Sequence, residues 1–155
     1  MADERAFTAF NFSVEIKVPN VPGLGTTLCS AAFSECDGLE VTMEAKSFRQ
    51  GGLNTEQIHL AGGVTYSNLT LKRGMSKDFG LWRWFQAVMK SNQRSLRGQA
   101  TIVMLGIDRR PQVTFKVKDC MPVKLRAPAL NATDGAIAIE EMQLVYAAFE
   151  IEFPK

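Results

Sequence analysis

Between Phe10 and Val18 every second residue is apolar: Phe10, Phe12, Val14, Ile16 and Val18 alternate with Asn11, Ser13, Glu15 and Lys17. Successive side chains of a strand point to opposite faces, so this period of two predicts a half-buried β-strand. Pro19 to Gly25 (PNVPGLG) ends it, because proline lacks the ladder donor and glycine permits turns. Leu28 to Phe33 predicts a second strand. After Asp37-Gly38 the alternation resumes, with Leu39, Val41, Met43 and Ala45 on one face and Glu40, Thr42, Glu44 and Lys46 on the other. Gly38 inside this stretch marks a bulge or sharp bend. Phe48 to Leu60 has no clear period and contains Gly51-Gly52. It reads as a long extended loop, and such a loop in a compact domain is usually functional or an interface element.

Val64 to Lys72 predicts another strand, its apolar phase shifting between Tyr66 and Leu69. Met75 to Asn92 is the one helical pattern. Ser76 suits the N-cap, Asp78 the first turn, Lys90 the last turn and Asn92 the C-cap. Leu81, Trp82, Phe85, Val88 and Met89 form its apolar stripe. Trp82 is therefore assigned to the core, while Trp84 lies off the stripe, free to face a partner. Ala100 to Ile107 and Gln112 to Lys118 read as a hairpin around Asp108-Arg109-Arg110-Pro111. Met121 to Leu130 contains Pro122 and Pro128 and reads as an irregular or edge segment. Ile137 to Phe153 reads as one long strand or a bent pair, with a bulge at the phase shift of Glu140-Glu141. The fold class is mainly β with one packed α-helix (α+β), an antiparallel sandwich or barrel of roughly seven to eight strands.

The chain has 155 residues, enough for one domain, and at that length roughly 68–70% of the unfolded surface can be buried. With 46% hydrophobic and 22% charged residues it has a globular composition. A formal net charge of +2 is too small to point to nucleic acid or a membrane surface. The N-terminal MADERAF has no apolar h-region, and no apolar run reaches membrane-spanning length. The expectation is a protein made in the cytoplasm that leaves a cell by lysis or within a particle. The cysteines, Cys29, Cys36 and Cys120, are odd in number and widely spaced, which reads as free thiols rather than a disulfide or zinc motif.

The residues that carry catalysis are sparse. His59 is the only histidine, which excludes sites built on two or more. None of the cysteines heads a predicted helix, where a thiolate would be stabilised. Glu40 and Glu44 share a strand face, but four-residue spacing sets them about 13 Å apart, too far for a carboxylate dyad. Gly51-Gly52 and Gly62-Gly63 lack the G-K-[ST] continuation of a phosphate loop. Lys72-Arg73 and Arg109-Arg110 are basic pairs without interleaved aromatics. No catalytic, cofactor or metal site is expected.

Several segments resemble one family. Cys36-Asp37-Gly38-Leu39-Glu40-Val41-Thr42-Met43-Glu44 is similar to an S-G-L-E-x-E-x-E strand. Ser47-Phe48-Arg49-Gln50-Gly51-Gly52 is similar to a Y-R-E-G-G loop. Tyr66-Ser67-Asn68-Leu69-Thr70-Leu71-Lys72-Arg73-Gly74, followed by Leu81-Trp82-Arg83-Trp84-Phe85, resembles Y-x-N-L-T-L-K-R-G and L-W-x-W. Pro122-Val123-Lys124, Pro128 to Ala132 and Ala138-Ile139-Glu140 fit the closing pattern. Together, in order and over nearly the whole chain, they resemble the tail tube proteins of contractile phage tails and extracellular contractile injection systems, related to the type VI secretion ring protein. Departures include Ala61-Gly62-Gly63 where that family usually has Pro-Gly.

The resemblance implies a homohexameric ring whose strands form one continuous barrel around a channel, with rings stacked into a tube. It implies a contractile sheath outside, baseplate or hub and tube-terminator proteins at the ends, and cargo or DNA within. Glu40, Thr42, Glu44 and Lys46, charged and mixed in sign, suit a wet channel lining. Phe48, Arg49, Gln50, Gly51, Gly52, Leu53 and Asn54 are the candidates for contact between subunits or rings. Lys77, Arg83 and Lys90 are the candidates to face a sheath. The competing readings are a baseplate-proximal tube initiator, a monomeric ligand-binding β-barrel and an enzyme; the last is disfavoured by the lack of any nucleophile motif.

Overall fold

Hydrophobic alternation along the chain becomes the strands β1 (Phe12–Lys17), β2 (Thr27–Ala31), β3 (Glu35–Asp37), β4 (Val41–Phe48), β5 (Ile58–Tyr66) and β6 (Leu69–Gly74). The helix α1 (Gly80–Ser91) follows, then β7 (Gly98–Leu105), β8 (Pro111–Arg126), β9 (Ile139–Val145) and β10 (Ala148–Glu152). The computed structural model describes residues 12–19, 27–31 (backbone only), 33–49, 51–52, 55–75, 79–91, 96–130, 132–133, 135 and 137–153. Phe10 and the Pro19-to-Gly25 turn beyond Pro19, together with Ser76, Asp78 and Asn92, lie outside these residues.

Eight strands form one antiparallel sheet in the order β2-β1-β7-β8-β9-β6-β3, with β10 also paired to β8. The predicted fold class holds. Strand β8 organises the sheet: its first part pairs with β7 and β10, and its last part with β9. The expectation of an irregular segment from Met121 is corrected, since Met121–Arg126 continue this sixteen-residue strand. Pro122 is tolerated because it sits at a register shift, where the missing donor costs no ladder bond.

One core joins both parts of the sheet: Val14 and Ile16 of β1, Ala100 and Ile102 of β7, Leu69 and Leu71 of β6, and Met142 and Leu144 of β9. The helix packs against β8 and β2. Its inner stripe is Leu81, Trp84 and Val88, which keeps Leu81 and Val88 of the predicted stripe, adds Trp84 and leaves Met89 exposed. Trp84, expected to face a partner, is fully buried and donates its indole N–H to the Leu96 carbonyl at 2.7 Å. Trp82, assigned to the core, is only half-buried. The cause is that apolar residues cover more than half of this helix, so the wheel permits two orientations. The Leu96 acceptor, invisible in the helical pattern, decides between them.

Glu140 occupies an inward position of β9, level with Met142 and Leu144. No bulge falls at Glu140-Glu141; pairing with β6 runs unbroken there, and the chain bends at Tyr146-Ala147 instead. The Glu140 carboxylate accepts from Arg73 Nε and, at 2.8 Å, from Trp82 Nε1. The Arg73 guanidinium also lies 5.7 Å from the Phe33 ring centroid. Half of the Lys72-Arg73 basic pair is thus internal. Removing one member of such a buried pair leaves an uncompensated charge. Arg73→Ala is expected to lower the unfolding free energy by about 3–5 kcal/mol in denaturant titration. Arg73→Met with Glu140→Leu should lie much nearer the parent.

Burial pushes the thiol of Cys36 from 9.0 up to about 12, with Asp37 adding to it. Burial also pushes Cys120 up to about 12. Above pH 9 the unfolded chain ionises these thiols and the folded chain does not, so stability falls as pH rises from 9 towards 12. Native protein at pH 8 is expected to release at most one equivalent with a thiol reagent, and three after unfolding.

Candidate functional site: an uncovered hairpin

Strands β4 and β5 form a two-stranded sheet of their own, paired from Val41↔Tyr66 to Phe48↔Ile58. The sequence suggested a long loop from Phe48; instead Ile58–Leu60 belong to β5 and the connection spans 49–57. The Val64-to-Lys72 strand is likewise divided, with β5 ending at Tyr66 and β6 starting at Leu69.

The base of this hairpin is tightly held. Gly38 adopts φ +106°, and a Cβ there would collide with the Asn68 carbonyl, so only glycine fits the bend. Its own carbonyl accepts from Glu40 N at 2.8 Å and from the Tyr146 hydroxyl at 3.1 Å. Ser67 N donates to the Glu40 carbonyl at 3.1 Å. The Tyr66 ring lies 5.7 Å from Tyr146 and 5.4 Å from Phe149, centroid to centroid. Burial raises the Tyr146 hydroxyl above its ordinary 10.0, so it remains a donor at neutral pH.

Beyond the base, every residue of β4 is exposed. The apolar face carrying Val41, Met43 and Ala45 is open, with Val41 51% and Met43 58% accessible. Across the ladder the same face takes Val64 and Tyr66. Met43 opposes Val64 and Ala45 opposes Ala61, so Gly62-Gly63 stand against Glu44 alone, a β-bulge in β5. A Cβ on Gly62 would lie 2.7 Å from the Glu44 carbonyl oxygen, which explains the glycine. The bulge inverts the phase of β5. Ile58 and Leu60 pair with Phe48 and Lys46, and therefore join the polar face of Thr42 and Glu44.

The hairpin thus has an apolar patch on each face. The tip patch of Phe48, Ile58 and Leu60 was missed from the sequence because the bulge, not the alternation, determines its side. Burying a side chain of this size contributes about 1.5–3 kcal/mol, so the pair of patches is a large unused stabilisation.

Of the residues singled out from sequence, Glu40, Thr42, Glu44 and Lys46 are exposed, as are Phe48, Arg49, Gly51 and Gly52. Arg83 and Lys90 are exposed on α1. Gln50, Leu53, Asn54 and Lys77 lie outside the described residues. His59 is exposed and faces Ser47 across the ladder. Among the described residues no three His, Cys, Asp or Glu side chains gather to hold a metal, and no helix is long and apolar enough to cross a membrane.

A ribbon open on both faces, with an apolar patch on each, offers surface that another chain could cover. Over residues 8–150 the sequence matches the T4-like virus tail tube protein gp19 family, and the chain belongs to that family. No curated protein sequence gives a significant match. The fold is similar to a chain of the anti-feeding prophage baseplate (6-fold symmetrised), with TM-score 0.81 and 23% identity over 97% of this chain and 98% of that one. It is similar to a chain of the extended PVC sheath–tube complex of an extracellular contractile injection system, with TM-score 0.79 and 20% identity over 97% and 94%. Hcp1 from Salmonella typhimurium shares the fold more distantly, with TM-score 0.53 and 13% identity over 92% and 87%.

The grip on the hairpin base is testable. Gly38→Ala is expected to cost at least about 1–3 kcal/mol through backbone strain, and Tyr146→Phe about 0.5–1.5 kcal/mol through the lost hydrogen bond. Hydrogen exchange should show the loss concentrated in β3, β4 and β5.

Proposed function

We propose that the protein is a structural subunit, without catalytic activity of its own, of the inner tube of a contractile tail or contractile injection particle. Six copies close into a ring, and rings stack around a water-filled channel. The observation that carries this is the β4–β5 hairpin, uncovered on both faces in a chain of the tail tube family. Head-to-tail closure of identical subunits supplies every copy with the same partner and leaves no free edge.

In this reading Glu40, Thr42, Glu44 and Lys46 line the channel, where a polar face of mixed sign stays hydrated. The hairpin tip and its connection, Phe48 to Asn54, contact another subunit or ring. Lys77, Arg83 and Lys90 lie on the outer side and meet a sheath. Baseplate and tube-terminator proteins bound the ends, assembly takes place in the cytoplasm, and cargo or DNA passes through. A second reading, a baseplate-proximal tube initiator, is favoured by the likeness to a chain of a baseplate structure.

Purified protein is expected to form rings and tubes in negative stain. Deleting Gln50 to Glu56 should leave a folded protein, by circular dichroism, that no longer polymerises. Unchanged tubes from the deletion would refute the role given to the connection.

A further inference from the structure

An open groove of about 850 Å³ lies between the chain leaving β8 and the chain entering β9. Its apolar lining includes Pro128, Leu130, Ile137 and Ile139. Leu130 is 94% and Ile137 81% exposed, so the groove is unfilled in the single chain. Its charged side is a cross-strand row in which Glu141 of β9 stands between Lys72 of β6 and Arg126 of β8.

We propose that this groove receives the hairpin tip of a second copy, through the face bearing Phe48, Ile58 and Leu60. The inference rests on the tube-subunit reading and adds the seat.

Two features favour this occupant. The apolar trio cannot remain against a wet channel, yet the Gly62-Gly63 bulge turns it onto the same face as Thr42 and Glu44. The tip must therefore leave the channel wall and be covered. The charges also match. Glu56, just beyond Ile58, supplies an anion for Arg126, while Lys72 is already paired with Glu35 at 3.3 Å. No hairpin residue lines the chain's own groove, so the contact joins two different surfaces on two copies. Such a heterologous contact propagates into a ring or a stack rather than stopping at a pair.

Cysteine cross-linking in the full-length assembled protein tests the seat. Two double variants are made, Leu60→Cys with Leu130→Cys and Ile58→Cys with Ile137→Cys, together with the four single variants. All the replaced side chains are solvent-accessible, so the fold tolerates them. On oxidation at least one double variant is expected to give a ladder of covalent oligomers on a non-reducing gel, while single variants and parent remain monomeric. Ile137→Asp should raise the concentration needed for assembly at least tenfold. Intact tubes with no ladder from either double variant would overturn the seat and leave the tube reading standing. Dimers alone would overturn it as well, because a closed pair is the wrong symmetry. A parent protein that forms neither rings nor tubes would bring down both.

Discussion

A two-stranded ribbon has two faces and two edges, and such a ribbon is marginal in water by itself. Strands β4 and β5 are held only at their base, yet they carry large apolar side chains on both faces. That constraint governs the rest of the structure. The eight-stranded sheet and its helix satisfy themselves: among the described residues no buried side-chain polar atom lacks a hydrogen-bond partner. Two concentrations of exposed apolar side chains stand out, the projecting ribbon and the groove, beside scattered ones such as Met89, Ile107 and Phe153. The sheet buries its apolar residues within one chain, whereas the ribbon does not.

The sheet achieves that independence partly through a polar hub. Glu140, Arg73 and Trp82 tie β9, β6 and α1 together inside an otherwise apolar core. A buried ion pair is seldom a net gain over well-packed apolar residues. Its value here is positional: the carboxylate accepts from both a strand and a helix, so their relative placement is fixed by directional bonds. The Gly38 bend, gripped by Tyr146 of the turn between β9 and β10, carries the same rigidity outward to the root of the ribbon.

Much of this was legible from the residue pattern. The alternation of β1 and β4, the β7–β8 hairpin and the Gly38 bend are where the period and the turn residues place them, while the helix begins at Gly80 rather than at Met75. The misreadings have specific physical causes. A proline at a bulge looks like a strand breaker, which hid the second part of β8. Two glycines that invert the phase of β5 made its first half look like a loop. A helix with apolar residues on most of its circumference left its orientation open until the Leu96 carbonyl captured Trp84. Alternation showed that β4 has an apolar face, but burial depends on what lies opposite, and in the single chain nothing does. The groove, walled by the two ends of the connection from β8 to β9, has no periodic signature.

The length of β8 bears on mechanics. Its sixteen residues bend at Asp119, where φ is +54°, and at the register shift beside Pro122, yet the one strand is hydrogen-bonded to three others along its course. Tension applied between its ends travels through covalent backbone and can only be relieved by shearing several ladders together. A subunit tied together by such a strand resists separation of its sheet, and the firm root of the ribbon passes load from a neighbouring copy into it.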